Sequence, residues 1–248
     1  MANPGPPSAI DLPLLDGEEA RRIDLEVTEK LGRVRVLEGV ATRVADTLLY
    51  HLDITSSIPF LFVAGKGNNG ANAIAAARML HLRGRETFVV LLVDPAKDDL
   101  RPNIREQIDL YHDFAGGDRL FPLDLDKIQQ FEGVLIDGIL GTGITDPPRG
   151  ISKQAIQAMN QAGNNAKGIL AIDIPSGLNH ITGEAPGECI RAKWTLNLHM
   201  LKRGQLQEVA RPYVGELYSA ESGLGFSTFP GLEASFAAFY KDGPIRKV

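Results

Sequence analysis

Apolar residues recur along this chain at two spacings, and the change from one to the other divides it. Near the start, Ala20, Ile23, Val27 and Leu31 fall on one helical stripe. Leu37, Val40, Ala41, Val44 and Leu48 fall on a second, so two amphipathic helices are predicted. Beyond them, short apolar runs rich in β-branched and aromatic residues alternate with helical patterns. The runs span 59–64 (PFLFVA), 87–93 (TFVVLLV), 133–137 (GVLID) and 168–174 (GILAIDI), with two more strands expected at 194–199 (WTLNLH) and 214–219 (VGELYS). Helices are expected at 70–83, about 102–115 and about 151–162. Strands that are apolar at nearly every position are buried on both faces, and helical crossovers make neighbouring strands parallel.

The fold expected is therefore α/β: a three-layer Rossmann-like sandwich with a mostly parallel central sheet flanked by helices. With 248 residues and no repeat, low-complexity tract or long linker, the chain reads as one large domain. Residues 1–16, rich in proline and glycine, read as a flexible N-terminal arm. A composition of 44% hydrophobic and 23% charged residues is that of a soluble globular protein. The net charge of -5, without a basic stripe, argues against a nucleic-acid partner. A single cysteine, Cys189, excludes an internal disulfide and a cysteine-built zinc site, and is expected to be a buried inert thiol. No apolar run is long enough for a membrane span, and the opening MANPGPPSAIDLP lacks the regions of a signal peptide, so a cytoplasmic protein is expected.

Polar chemistry gathers where strands are expected to end. Gly65-Lys66-Gly67-Asn68-Asn69-Gly70 follows the first run and opens a helix, so glycine backbone and a helix N-terminus would face an anion. Its G-x-G-x-x-G spacing is common in α/β proteins, but the paired asparagines are not needed by an ordinary dinucleotide loop. Asp137 ends the third run and precedes Gly138-Ile139-Leu140-Gly141-Thr142-Gly143. Asp173 follows the fourth and precedes Ile174-Pro175-Ser176-Gly177. Either aspartate alone could be a turn former or helix cap. Together with the asparagines and Ser176 they supply oxygen ligands suited to a hard cation, with glycine backbone as a phosphate cradle. The five histidines show no metal-ligand spacing; only His180, close after the DIPSG segment, could border a pocket, and surface placement is expected for it.

The ordered set GNNG, IDGILGTG and AIDIPSGLNHITGE resembles the YjeF N-terminal domain family, the NAD(P)H-hydrate epimerases. EEARRID at 18–24, LKRG around Lys202 and YVGE at 213–216 are similar to further family segments. The likeness covers 17–225 and leaves 226–248 as a C-terminal extension whose placement the resemblance does not give. It implies a potassium ion held by Asn69, Asp137 and Ser176, with backbone carbonyls completing the shell. It implies a substrate lying along Asn68, Asn69, Gly70, Ala71 and Asn72, along Gly141, Thr142, Gly143, Ile144, Thr145, Asp146 and Pro147, and at Asp173. The implied reaction interconverts the R and S forms of hydrated NADH or NADPH, with Asp173 as the carboxylate that handles a proton. A homodimer and a separate dehydratase acting in the same pathway are also implied.

The chain departs from the family where GNNG usually continues Gly-Asp-Gly: here it reads Ala71-Asn72-Ala73. The two methyl groups are expected to narrow the helix start and crowd a ligand, and an amide at 72 cannot act as a base. The alternative reading is accordingly a catalytically weak nucleotide-binding or protein-interaction module. A third, an NAD-dependent dehydrogenase with Asp94 on the ribose, leaves the asparagines and the DIPSG loop without a task.

Overall fold

Gly32, with φ at 86°, separates the two amphipathic stripes into helices α1 (Gly17–Leu31) and α2 (Arg33–Asp46). These come from a computed structural model that describes residues 14–15, 17–143, 146–163, 165–223 and 231–248. A two-residue strand β1 (Leu14–Leu15) precedes them. The apolar runs then form β2 (Phe60–Ala64), β3 (Thr87–Leu91), β5 (Val134–Gly138), β6 (Gly168–Ile172), β7 (Trp194–Leu198) and β9 (Glu216–Ala220). The crossover helices are α3 (Asn68–Leu82), α4 (Pro102–Ala115) and α6 (Gly150–Ala162). Proline at its first position starts α4, and Gly116, at φ 89°, stops it.

Shorter elements among the described residues include β4 (Leu120–Phe121), α5 (Leu125–Gln129), β8 (Leu201–Lys202), α7 (Arg211–Val214) and α8 (Glu233–Phe239). The last strand, β10 (Ile245–Lys247), pairs antiparallel with β9, Ile245 opposite Ala220. Eight strands lie in the order β10-β9-β7-β6-β5-β2-β3-β4, every pair but the first parallel. The chain starts this sheet at β2, winds outward through β3 and β4, then returns to the other side of β2 with β5. That reversal is the switch point of an open α/β sheet, and it sets the loop after β2 beside the loop after β5.

Alternate residues of the strands feed two cores. Phe60, Phe62, Val89, Leu170 and Leu196 pack with α2, α3 and α4 on one face; Leu61, Val63, Leu135 and Ile169 pack with α5 and α6 on the other. α3 is buried nearly all round, and its alanines let it lie close between the sheet and its helical neighbours. Cys189 is buried, as expected, and so is Trp194; burial pushes the Cys189 thiol pKa up. β6 stops at Ile172, two residues before its apolar run ends, because Asp173 takes a positive φ of 69° that breaks the extended conformation. Past residue 226, α8 turns Phe236 and Phe239, with Tyr240, onto Ile23 and Val27 of α1. Among the described residues, no helix is long and apolar enough to cross a membrane.

Candidate active site

Three strand ends meet at the switch point because glycine lets them. A Cβ on Gly65 would overlap the carbonyl of Ile139, and one on Gly70 would overlap the carbonyl of Gly65. The first turn of α3 therefore sits directly on the loops that follow β2 and β5. From that turn the buried Asn69 side chain donates through Nδ2 to Leu140 O at 2.8 Å and Ile172 O at 3.0 Å. One amide thus ties α3 to the ends of both β5 and β6.

Asp137 and Ser176 join the same two loops from below. Asp137 is fully buried; its Oδ1 accepts from Ser176 Oγ at 2.5 Å and Ile139 N at 3.1 Å, and its Oδ2 accepts from Ser176 N at 2.8 Å. Ser176 Oγ accepts in turn from Leu140 N at 2.8 Å and lies 3.3 Å from Leu140 O. Among the described residues Asp137 has no ion-pair partner, and burial pushes its pKa up to about 6, against the pull of the Ser176 hydroxyl and amide and the Ile139 amide. A buried carboxylate beside the Ser176 hydroxyl, with the Leu140 carbonyl within reach of that hydroxyl and no cationic side chain paired to it among the described residues, is a donor set that fits a hard monovalent cation. Asn69, Asp137 and Ser176, expected to share one crevice, are joined in a single hydrogen-bonded cluster.

Asp173 stands beside this cluster on β6's exit. Its backbone N–H donates to Leu196 O at 2.8 Å, and its carbonyl accepts from Gln205 Nε2 at 2.7 Å. Its Oδ1 pairs with Lys202 Nζ and accepts from Leu198 N at 3.2 Å. His180 is half-buried near this pair, not on the surface as expected; its Nδ1 is buried and has no partner among the described residues. Burial and Lys202 lower its pKa, with Asp173 opposing. His199, at φ 61°, is half-buried and bonded through Nδ1 to Ser222 Oγ, and its pKa falls to about 4 through desolvation, then Lys202.

The remaining expected substrate positions divide by exposure. Asn68 is exposed, its Oδ1 accepting from Arg33 Nη1 at 3.1 Å; Asn72, Gly141 and Thr142 are half-buried; Gly143, Asp146 and Pro147 are exposed. Gly70 and Ala71 are buried in the first turns of α3, and Ile144 and Thr145 lie outside the described residues. The expected crowding by Ala71 and Ala73 does not arise: both methyls are fully buried in the core, and Ala73 packs toward Gly138. Asp94 closes its own turn, accepting from Ala96 N at 3.0 Å and pairing with Lys97. Sequence reasoning gave no role to Arg33, Gln205 or Lys202; the LKRG match was the one signal pointing to Lys202.

Residues 34–204 match the model of the family described as YjeF-related protein N-terminus. The chain is similar to the NAD(P)H-hydrate epimerase of Levilactobacillus brevis, 32% identical over 212 residues, covering 83% of this chain and 92% of that one. It is also similar to the bifunctional NAD(P)H-hydrate repair enzyme Nnr of Moorella thermoacetica, 31% identical over 196 residues, covering 76% of this chain but 36% of that one. It thus spans about a third of the bifunctional relatives' length. In fold it resembles the crystal structure of yeast ynu0, with a TM-score of 0.70, 17% identity, and coverage of 96% of this chain and 100% of that one.

Proposed function

The chain belongs to the YjeF-related N-terminal domain family, and on that premise we propose that it is an NAD(P)H-hydrate epimerase, an isomerase that interconverts the R and S forms of hydrated NADH and NADPH as a repair reaction. The observation that carries this reading is the meeting of Asn69, Asp137 and Ser176 in one cluster beside Asp173, at the mouth of the sheet's switch point. The hydroxyl-bearing ring carbon is also bonded to nitrogen, so the nitrogen lone pair can expel the hydroxyl and leave an iminium. Departure as water consumes one proton, and return of water to the opposite face releases one. Asp173, held on one oxygen and without a donor on the other among the described residues, would serve both transfers and stabilise the positive ring.

Asn69, Asp137 and Ser176 would hold a potassium ion, which supplies positive charge beside the buried carboxylate and the substrate's diphosphate. Gly141 to Gly143 and the N-terminus of α3 offer backbone to that diphosphate. Arg33, at the edge of the same loop, adds a cation that can reach phosphate. The fitting partners are a dehydratase that removes water from one epimer and a second copy of this chain as a homodimer.

The test is to mix both epimers with a dehydratase that consumes only one and then add this protein. Complete consumption of the mixture, faster than spontaneous epimerisation, is the expected result. A residue of the unused epimer that decays at the spontaneous rate overturns the proposal in favour of a binding module.

A further inference from the structure

Lys202 uses every donor it has on protein atoms. Its Nζ reaches Asp173 Oδ1, Asn197 Oδ1 at 2.9 Å and Leu198 O at 2.9 Å. An ammonium carries three N–H groups and no acceptor, so none remains for a ligand. The chain of bonds continues inward through the buried Asn197, Ser219 and Tyr240. Asn197 Nδ2 donates to Ser219 Oγ at 2.8 Å, Ser219 Oγ lies 2.8 Å from Tyr240 OH, and Tyr240 OH donates to the His199 carbonyl at 3.3 Å. With Tyr240 donating to that carbonyl, Ser219 must donate to Tyr240. Every bond from Lys202 to His199 then runs in one direction, and the Asn197 amide can take only one orientation.

From this geometry we infer that Lys202 is the positioning residue for Asp173, and that the C-terminal segment holding Tyr240 is a working part of the site rather than an appendage. The inference rests on the epimerase reading above. Asp173 sits in a left-handed conformation, costly for a non-glycine residue and kept only where the surroundings over-determine it. Here Leu196 O and Gln205 fix its backbone, while Lys202 and Leu198 N hold Oδ1. Among the described residues no donor reaches Oδ2, which is the oxygen left for the substrate. Lys202 is itself held on its other side by Asn197, whose amide is locked by Ser219 and Tyr240. A carboxylate fixed in one rotamer reacts faster than a wandering one because its ordering is complete before the substrate arrives.

The test compares Lys202→Met, Lys202→Arg, Tyr240→Phe and the Lys202→Met/Tyr240→Phe double variant with the parent protein. It measures kcat and KM for epimerisation, ADP-ribose affinity, and thermal melting to confirm folding. Lys202→Met is expected to lower kcat by about 20-fold or more, with KM and ADP-ribose affinity within about two-fold, since it removes orientation and not contact. Lys202→Arg should recover a large part of that loss. Tyr240→Phe, which keeps the buried ring, should lower kcat by about three- to ten-fold. The double variant should be no slower than Lys202→Met alone, because both act along one chain of bonds. An unchanged kcat in folded Lys202→Met, or losses that multiply in the double variant, overturns the inference while leaving the epimerase reading intact. Absence of turnover by the parent protein overturns both.

Discussion

His199 carries two liabilities at one position, a positive φ and a partly desolvated imidazole. Its ordinary pKa of 6.5 falls to about 4 in the fold, so the unfolded chain takes up a proton that the folded chain refuses. Stability is therefore full above pH 6.5 and is lost as pH falls from there toward 4, by up to about 3 kcal/mol for a shift of that size. Around the ring stand Ser222, Lys202 and Asp173; the lysine adds to the depression and the carboxylate opposes it. His199→Asn, which tolerates the left-handed conformation, should flatten the dependence of urea midpoint on pH between 4 and 6.5. At the proposed site, Asp173→Asn should lower kcat by about 10²- to 10⁴-fold, the usual range for one acid–base group. Asn72→Asp should change kcat by less than about three-fold if Asp173 handles both proton transfers. A larger gain would show that the family's aspartate does work this chain lacks.

Among elements, α3 is the one on which the site depends, and its tolerance for change is small. Gly70→Ala drives a methyl into the Gly65 carbonyl, and the backbone must shift to admit it. A loss of about 1–3 kcal/mol in unfolding free energy is expected, measured by denaturant titration, together with weaker potassium binding because Asn69 moves with the turn. This junction was legible in the sequence: a glycine-asparagine loop after an apolar run specifies both the strand's end and the helix's beginning. The long parallel strands and the crossover helices were legible for the same reason, since each carries its own periodicity. β10, α5 and α8 were not. Each is too short for a period to show, and β10 exists because β9 offers it an unpaired edge. The Lys202–Asp173 pair joins residues 29 apart through a turn that no local pattern encodes. The left-handed Asp173 also shortened a strand whose apolar run continued past it.

For the whole molecule, the buried Asp137 makes stability depend on both pH and potassium. Its pKa rises from 3.8 to about 6 without an ion, so the ion-free fold holds a proton that the unfolded chain has already released. Ion-free stability therefore falls as pH rises from about 4 through 6. A cation at Asn69, Asp137 and Ser176 would offset this only where the carboxylate is ionised. Potassium chloride, against tetramethylammonium chloride at equal ionic strength, should raise the melting temperature more at pH 7.5 than at pH 5. A potassium effect that is equal at both pH values would remove Asp137 from the proposed ligand set. The same cluster has a further consequence for motion. The N–H groups of Ile139, Leu140 and Ser176 lie in loops, yet each is bound by Asp137 or Ser176 rather than by water. In deuterium exchange these three amides should be as slow as those of the neighbouring strands, while Gly143, exposed a few residues on, should exchange at once.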